Sequence, residues 1–186
     1  MNSISKDNQD KTERILAAVQ SNKQSDNASA GLEIKQIQHV FFTLGQDRNY
    51  AFRGDVVKEI LTVGKINPVF GCPEEILGII NVRGETESVI SLHAVLGLAV
   101  PEISPQSRIL LADDCRIHSG IFVDEVEDVA EIPEGSLQKA VYKMEPDITF
   151  EETDFNGKHY IVLDVARLFE LVEKQCGLQD DNNGGK

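Results

Sequence analysis

The fold class this sequence predicts is all-β, a barrel or sandwich, and three observations predict it. From residue 38 onward the chain falls into eight or more short runs rich in Val, Ile, Phe and Leu, separated by Gly, Pro, Asn and Asp. The strand-helix alternation that a parallel α/β sheet requires is missing. Finally, a core with no Trp and 6% aromatic residues has to be packed mainly from Ile, Val and Leu, and β-branched side chains suit strands better than helices. At 186 residues with 41% hydrophobic content, the chain suffices for one ordinary domain or two very small units sharing a core.

The elements follow in order. Residues 1–37 read as an arm. Asp10 and Glu13 have capping-box spacing, and Ile15, Leu16 and Val19 then give a narrow apolar stripe, so a short helix is predicted over 11–20. Residues 21–30, rich in Ser, Asn and Ala, read as a linker. Runs 39–44 and 49–53 flank a turn at 45–48, as in a hairpin, and 56–63 is a further apolar run. A loop with two prolines follows at 64–73, and 74–77 is expected to form one helical turn after Pro73.

Residues 78–98, GIINVRGETESVISLHAVLGL, read as strand, tight turn at Arg83-Gly84, strand and a stub of helix closed by Gly97. Strands are predicted at 108–112, 116–126 and 129–132, with a turn at Asp113-Asp114 and a helical turn within 133–140. Runs 147–155 and 159–163 flank Asn156-Gly157, the strongest short hairpin signal in the chain. Asp164 can cap a last helix, whose Val165, Leu168, Phe169 and Val172 fall at i, i+3, i+4 and i+7 and which stops near Gly177. The tail, 177–186, is polar and glycine-rich and is expected to be disordered.

The net charge of −13 is uneven. Residues 1–38 carry five basic and five acidic groups, whereas 113–154 carry thirteen acidic and three basic. Such a surface repels phosphate, which argues against nucleic-acid or anionic-membrane partners. The three cysteines, Cys72, Cys115 and Cys176, lie far apart without CxxC or zinc spacing, as fits a reducing cytosol. The amino terminus lacks the apolar stretch of a signal peptide, and no apolar run reaches membrane-spanning length. A cytoplasmic protein without direct membrane insertion is expected.

Catalytic patterns do not emerge. His39, His93, His118 and His159 form no HExxH and none adjoins a cysteine; GxSxG, P-loop and GxGxxG motifs are absent. Cys115 and His118 stand three apart, which on a strand places them on opposite faces. Asp124, Glu125, Glu127 and Asp128 lack the alternation and central Gly of a calcium loop and read as a solvated face. No cofactor, metal or catalytic residue is assigned.

The 78–98 segment closely resembles the signature of the CheW family, adaptors that join chemoreceptors to a histidine kinase. The family's Asn-Leu-Arg-Gly is held here by Asn81, Val82, Arg83 and Gly84, and its Leu-Gly-Leu ending by Leu96, Gly97 and Leu98. Two later segments match in the same order. Residues 120–126 resemble the family's Gly-Val-Val-Val-Asp, and Asn156-Gly157 followed by 161–164 resembles its closing hairpin and helix entry. The resemblance spans 38 to about 174 and implies two small five-stranded β-barrels packed together, with the C-terminal helix against them, in a domain of residues 38–176.

It also implies a non-enzymatic scaffold whose partners are a CheA-type histidine kinase and the cytoplasmic tip of chemoreceptors. Arg83 is the first partner-binding candidate, because a guanidinium bonds in a planar fork and buries an apolar stem. Gly84 permits a turn geometry forbidden to residues with a Cβ. Asn81 belongs to the same motif, and Val57 and Glu59 match the family's Val-x-Glu-Ile. Where the family has Pro, Asp and Arg after the motif, this chain has Ser88, Ser91 and His93, and Ser91 retains the ability to cap a short helix. Two rivals stand beside the scaffold: a small β-barrel hydrolase using Asp124 or Cys115, and a stand-alone ligand-binding sensor built on the groove between barrels.

Overall fold

A computed structural model describes residues 34–45, 48–140 and 148–177. The helix expected at 11–20, the linker at 21–30, the centre of the 45–48 turn and residues 178–186 lie outside the described residues.

The strands are β1 (Gln36–Thr43), β2 (Asn49–Arg53), β3 (Val57–Thr62), β4 (Ile76–Val82), β5 (Glu85–Ser91), β6 (Arg108–Asp113), β7 (His118–Val123), β8 (Glu125–Pro133), β9 (Gln138–Lys139), β10 (Thr149–Phe155) and β11 (Lys158–Leu163). Helix α1 (Leu92–Val95) follows β5, a 3-10 turn at Glu134–Ser136 follows β8, and α2 (Val165–Gln175) follows β11.

They form two sheets, ordered β8-β1-β2-β11-β10-β9 and β3-β6-β7-β5-β4. The mainly β architecture with two packed sheets and a C-terminal helix is the one expected. The first sheet carries six strands rather than five because the two-residue β9 pairs with β10 through Lys139↔Glu151 and Gln138↔Glu152. Chain order explains the layout: β1 and β2 open the first sheet, β3 to β7 build the second, and β8 to β11 return to complete the first. Antiparallel pairs dominate, with parallel contacts where the chain returns, β11 beside β2 and β5 beside β7.

Strand periodicity divides the apolar side chains between three cores. In the second sheet Ile109, Leu111, Val89 and Phe122 face inward to a small core of their own. The alternate positions Leu110, Ala112, Ile90, Ile121 and Val123 face the other way, into a central core. The first sheet repeats the scheme: Phe41, Ala51, Tyr160 and Val162 make its own core, while Val40, Phe42, Phe52 and Leu163 join the centre. Strands buried on both faces must be apolar at consecutive positions, which is why runs such as Ile109-Leu110-Leu111 lack clean alternation. The central core is completed by Val165, Leu168, Phe169 and Val172 of α2, the predicted stripe. Asp164 caps that helix by accepting from the backbone N–H groups of Ala166 and Arg167.

Three local outcomes differ from expectation. Residues 74–77 make no helix: Ile76 N donates to Pro73 O at 3.0 Å and β4 begins at once, because the edge of this strand is needed for pairing. The predicted strand 116–126 is broken at Asp124, where the chain leaves one sheet (β7) for the other (β8). And β1 starts at Gln36, within the stretch read as arm, where it pairs with Pro133.

Candidate functional site

The β4–β5 hairpin supplies the candidate surface. Val82 pairs with Glu85, leaving Arg83 and Gly84 as a two-residue turn with φ of 54° and 95°. Positive φ at both positions is what a type I′ turn requires, and its twist matches that of the flanking strands. Asn81 closes the turn from within, its Oδ1 accepting the Gly84 N–H at 3.1 Å. The backbone thus holds the Arg83 side chain out at the tip, 79% exposed, where its Nη2 donates to Glu59 Oε1 at 2.8 Å. Glu59 is 23% exposed.

Glu59 lies on β3 and Arg83 follows β4, the two opposite edges of the five-stranded sheet. Their contact requires the sheet to curl until its edges approach. The connection 63–75 fills the remaining gap: Asn67 and Ile79 exchange backbone hydrogen bonds of 2.8 Å each, so this loop runs along the outer edge of β4. Gly78 allows the approach. Its φ is 144°, and a Cβ there would lie 2.3 Å from the Asn67 carbonyl oxygen. The curled sheet therefore ends in a lip formed by Asn81, Arg83, Gly84 and Glu59.

The structure does not bring Val57 to this lip. Period-2 spacing puts Val57 and Glu59 on one face, but the β3–β6 register shifts between them, with Val57 opposite Ala112 and Glu59 opposite Leu111. The extra residue, Lys58, reverses the alternation beyond it. Val57, 5% exposed, enters the central core with Ile60, whereas Leu61 packs against the sheet's own core. Glu59 shares the face of Leu61 and meets Arg83 at its rim.

Ser88, Ser91 and His93, where the sequence departs from the family pattern, all acquire internal partners. Ser88 Oγ meets Ser119 Oγ at 2.8 Å, and Ser91 caps α1 by accepting from Ala94 N at 3.2 Å. His93, 1% exposed, sets Nε2 3.1 Å from the Asp124 carboxylate, which also accepts the Gly45 N–H at 2.6 Å. Asp124 thus ties α1 and the β1–β2 connection to the corner between sheets, a role that sequence reading did not assign. His118 Nδ1 pairs with Glu87 Oε1 at 3.0 Å. Cys115 sits in the 114–117 turn with φ of 71° and donates its N–H to Asp113 Oδ1. Burial alone raises the neighbouring Asp114 carboxyl, but the backbone N–H groups of Ile117 and Arg116 and the Arg116 guanidinium outweigh it and hold the carboxyl below its ordinary range. Among the described residues no group of three His, Cys, Asp or Glu side chains is placed to hold a metal ion.

Phe70 is the other surface feature that sequence reading missed. It stands on the 63–75 loop and is 96% exposed, beside the partly exposed Val69. A loop read from its prolines gives no sign of where its apolar side chains point.

Comparison with known proteins decides the family. The CheW-like domain model matches residues 38–173, most of the chain. The chain belongs to the CheW-like family. It is 28% identical over 151 residues to the chemotaxis protein CheW of Bacillus subtilis (strain 168), covering 81% of this chain and 93% of that protein. Its structure is similar to the crystal structure of the scaffolding protein TtCheW from Thermoanaerobacter tengcongensis, with a TM-score of 0.64, 26% identity, and coverage of 70% of this chain and 90% of that one. This CheW-like protein is a non-enzymatic scaffold of chemotaxis signalling, which closes the hydrolase reading. No helix among its described residues is long and apolar enough to cross a membrane.

Proposed function

We propose that this CheW-like protein, acting through its 38–176 domain in the cytoplasm, couples the cytoplasmic tip of chemoreceptors to a CheA-type histidine kinase, and that the lip of Asn81, Arg83, Gly84 and Glu59 is a partner contact. The observation that carries the reading is the posture of Arg83. A turn fixed by Asn81 and Gly84 holds the guanidinium outward, and one hydrogen bond to Glu59 orients it while most of its surface faces solvent. An Arg has five N–H donors in a rigid fork, so donors remain for a carboxylate or carbonyl on a partner. Preorganisation lowers the entropy lost when that contact forms.

Binding is the whole mechanism. A receptor's signalling state would bias the kinase through differential contact with the scaffold, a coupling free energy between sites. Individual contacts of modest affinity gain strength when many are linked in an array. The experiment is co-purification from the native cell: the tagged protein should bring down a histidine kinase and chemoreceptors. Recovery of neither overturns the proposal.

A further inference from the structure

A cleft of about 350 Å³ opens between the two sheets at the start of α2. Leu163, Val165, Val56 and Ala166 give it an apolar floor, and its rim carries Arg53 and Lys58 with Asp55 and Asp113. The volume is at the low end of what binding sites enclose, about 300–1,000 Å³. It is too short for a long helix and suited to a few aliphatic side chains from one turn or two.

The chain itself supplies such a segment close by. The described part begins at Ile34, and Lys35 is anchored at the end of β8 by its ion pair with Glu134 at 2.8 Å. Further along β1, the Gln38 carbonyl accepts the Gly54 N–H at 2.7 Å, and Gly54 stands between the rim residues Arg53 and Asp55. Ile34 stands four positions before Gln38, so extended chain puts it at most roughly 13–14 Å from the Gln38–Gly54 contact beside the cleft. The apolar stripe Ile15, Leu16 and Val19 precedes Ile34 with residues 21–33 as tether. Coil statistics give a chain of that length a root-mean-square span of about 20 Å.

We propose that this cleft is the docking site of the chain's own amino-terminal segment, with Ile15, Leu16 and Val19 laid against Val56, Ala166 and the floor beneath them. Tether span and required span are similar, the condition under which effective concentration is greatest, on the order of millimolar. Contact by three aliphatic side chains, too weak to persist between separate molecules, is then populated within one. This inference goes beyond the adaptor reading and does not depend on it.

Cys115 also lines the cleft and is exposed, whereas Cys72 lies on the 63–75 loop outside its lining. Their alkylation rates by iodoacetamide, resolved by peptide mass spectrometry on the full chain, test the proposal. In Ile15→Asp/Leu16→Asp/Val19→Asp, Cys115 should react about three- to tenfold faster than in the parent chain, the protection that an effective concentration of about 1 mM gives a contact with a dissociation constant of roughly 0.1–0.5 mM. Cys72 should react at the same rate in both. Equal Cys115 rates overturn the proposal. Protection that fades on dilution also overturns it, because the occupant is then a second copy of the chain.

Discussion

Arg83 and Glu59 are joined by a 2.8 Å ion pair although they belong to opposite edges of one five-stranded sheet. The pair therefore reports curvature. With Asn67 exchanging hydrogen bonds with Ile79, the sheet curls around Ile80, Val89, Ile109, Leu111 and Phe122, and the motif Arg is delivered to its rim. The residue argued to meet a partner is thereby set by the closure of the sheet behind it.

Closure depends on Gly78. Gly78→Ala places a Cβ against the Asn67 carbonyl at a φ unfavourable for any L side chain. We expect a loss of roughly 2–4 kcal/mol in urea unfolding. A loss below ~0.5 kcal/mol would show that the loop does not hold this edge.

Arg83 itself should matter little to stability. Its side chain is mostly exposed, and such pairs are worth about 1 kcal/mol or less. Arg83→Ala and Glu59→Ala should each leave the urea midpoint nearly unchanged. A large shift in either would mark the pair as structural and weaken its assignment to a partner.

The buried corner should behave in the opposite way. Asp124→Ala removes the acceptor for both His93 Nε2 and the Gly45 N–H. The expected cost is roughly 2–4 kcal/mol, as two polar groups lose their partner. His93→Ala should destabilise as well, and the double variant should cost less than the sum of the singles, since one interaction is shared. Strict additivity would count against the network.

Acid should weaken the fold partly through His39. Burial is the main cause holding its imidazole below the ordinary value of 6.5, outweighing the hydrogen bond with the Ile37 carbonyl. The unfolded chain then binds the proton more readily than the folded one. The stability contribution is complete above about pH 6.5 and is lost as pH falls through the folded value. His39→Phe, compared with the parent from pH 7.5 to 5, should reduce the decline in stability. An unchanged slope would show that other groups carry it.

Local signals in the sequence were faithful where a single turn or cap decides the structure. Asn156-Gly157 forms the predicted hairpin with φ of 50° and 75°, and Asp164 and Ser91 cap their helices. What escaped is what only closure or an inserted residue creates. Period-2 spacing could not show that Lys58 is an extra residue, so the match to Val-x-Glu-Ile named Val57 beside Glu59 although only Glu59 reaches the rim. The apolar run through Val123 and Val126 gave no sign that Asp124 is where the chain changes sheets. His93 showed only as a departure from the family's Arg, because its partner, Asp124, is 31 positions away. The motif itself was visible from Asn81 to Gly84; the partner of Arg83 within the fold was not.

Arg83 is proposed as a contact for a protein partner that the fold itself can do without. Its most direct test is titration of purified parent protein and Arg83→Glu with the CheA-type kinase recovered from the same cell, beside thermal unfolding of both. The unfolding midpoint of Arg83→Glu should lie within a few degrees of the parent, and binding should weaken by roughly tenfold or more, the scale of a lost Arg hot spot. Undiminished kinase binding by a fully folded Arg83→Glu protein would contradict this assignment.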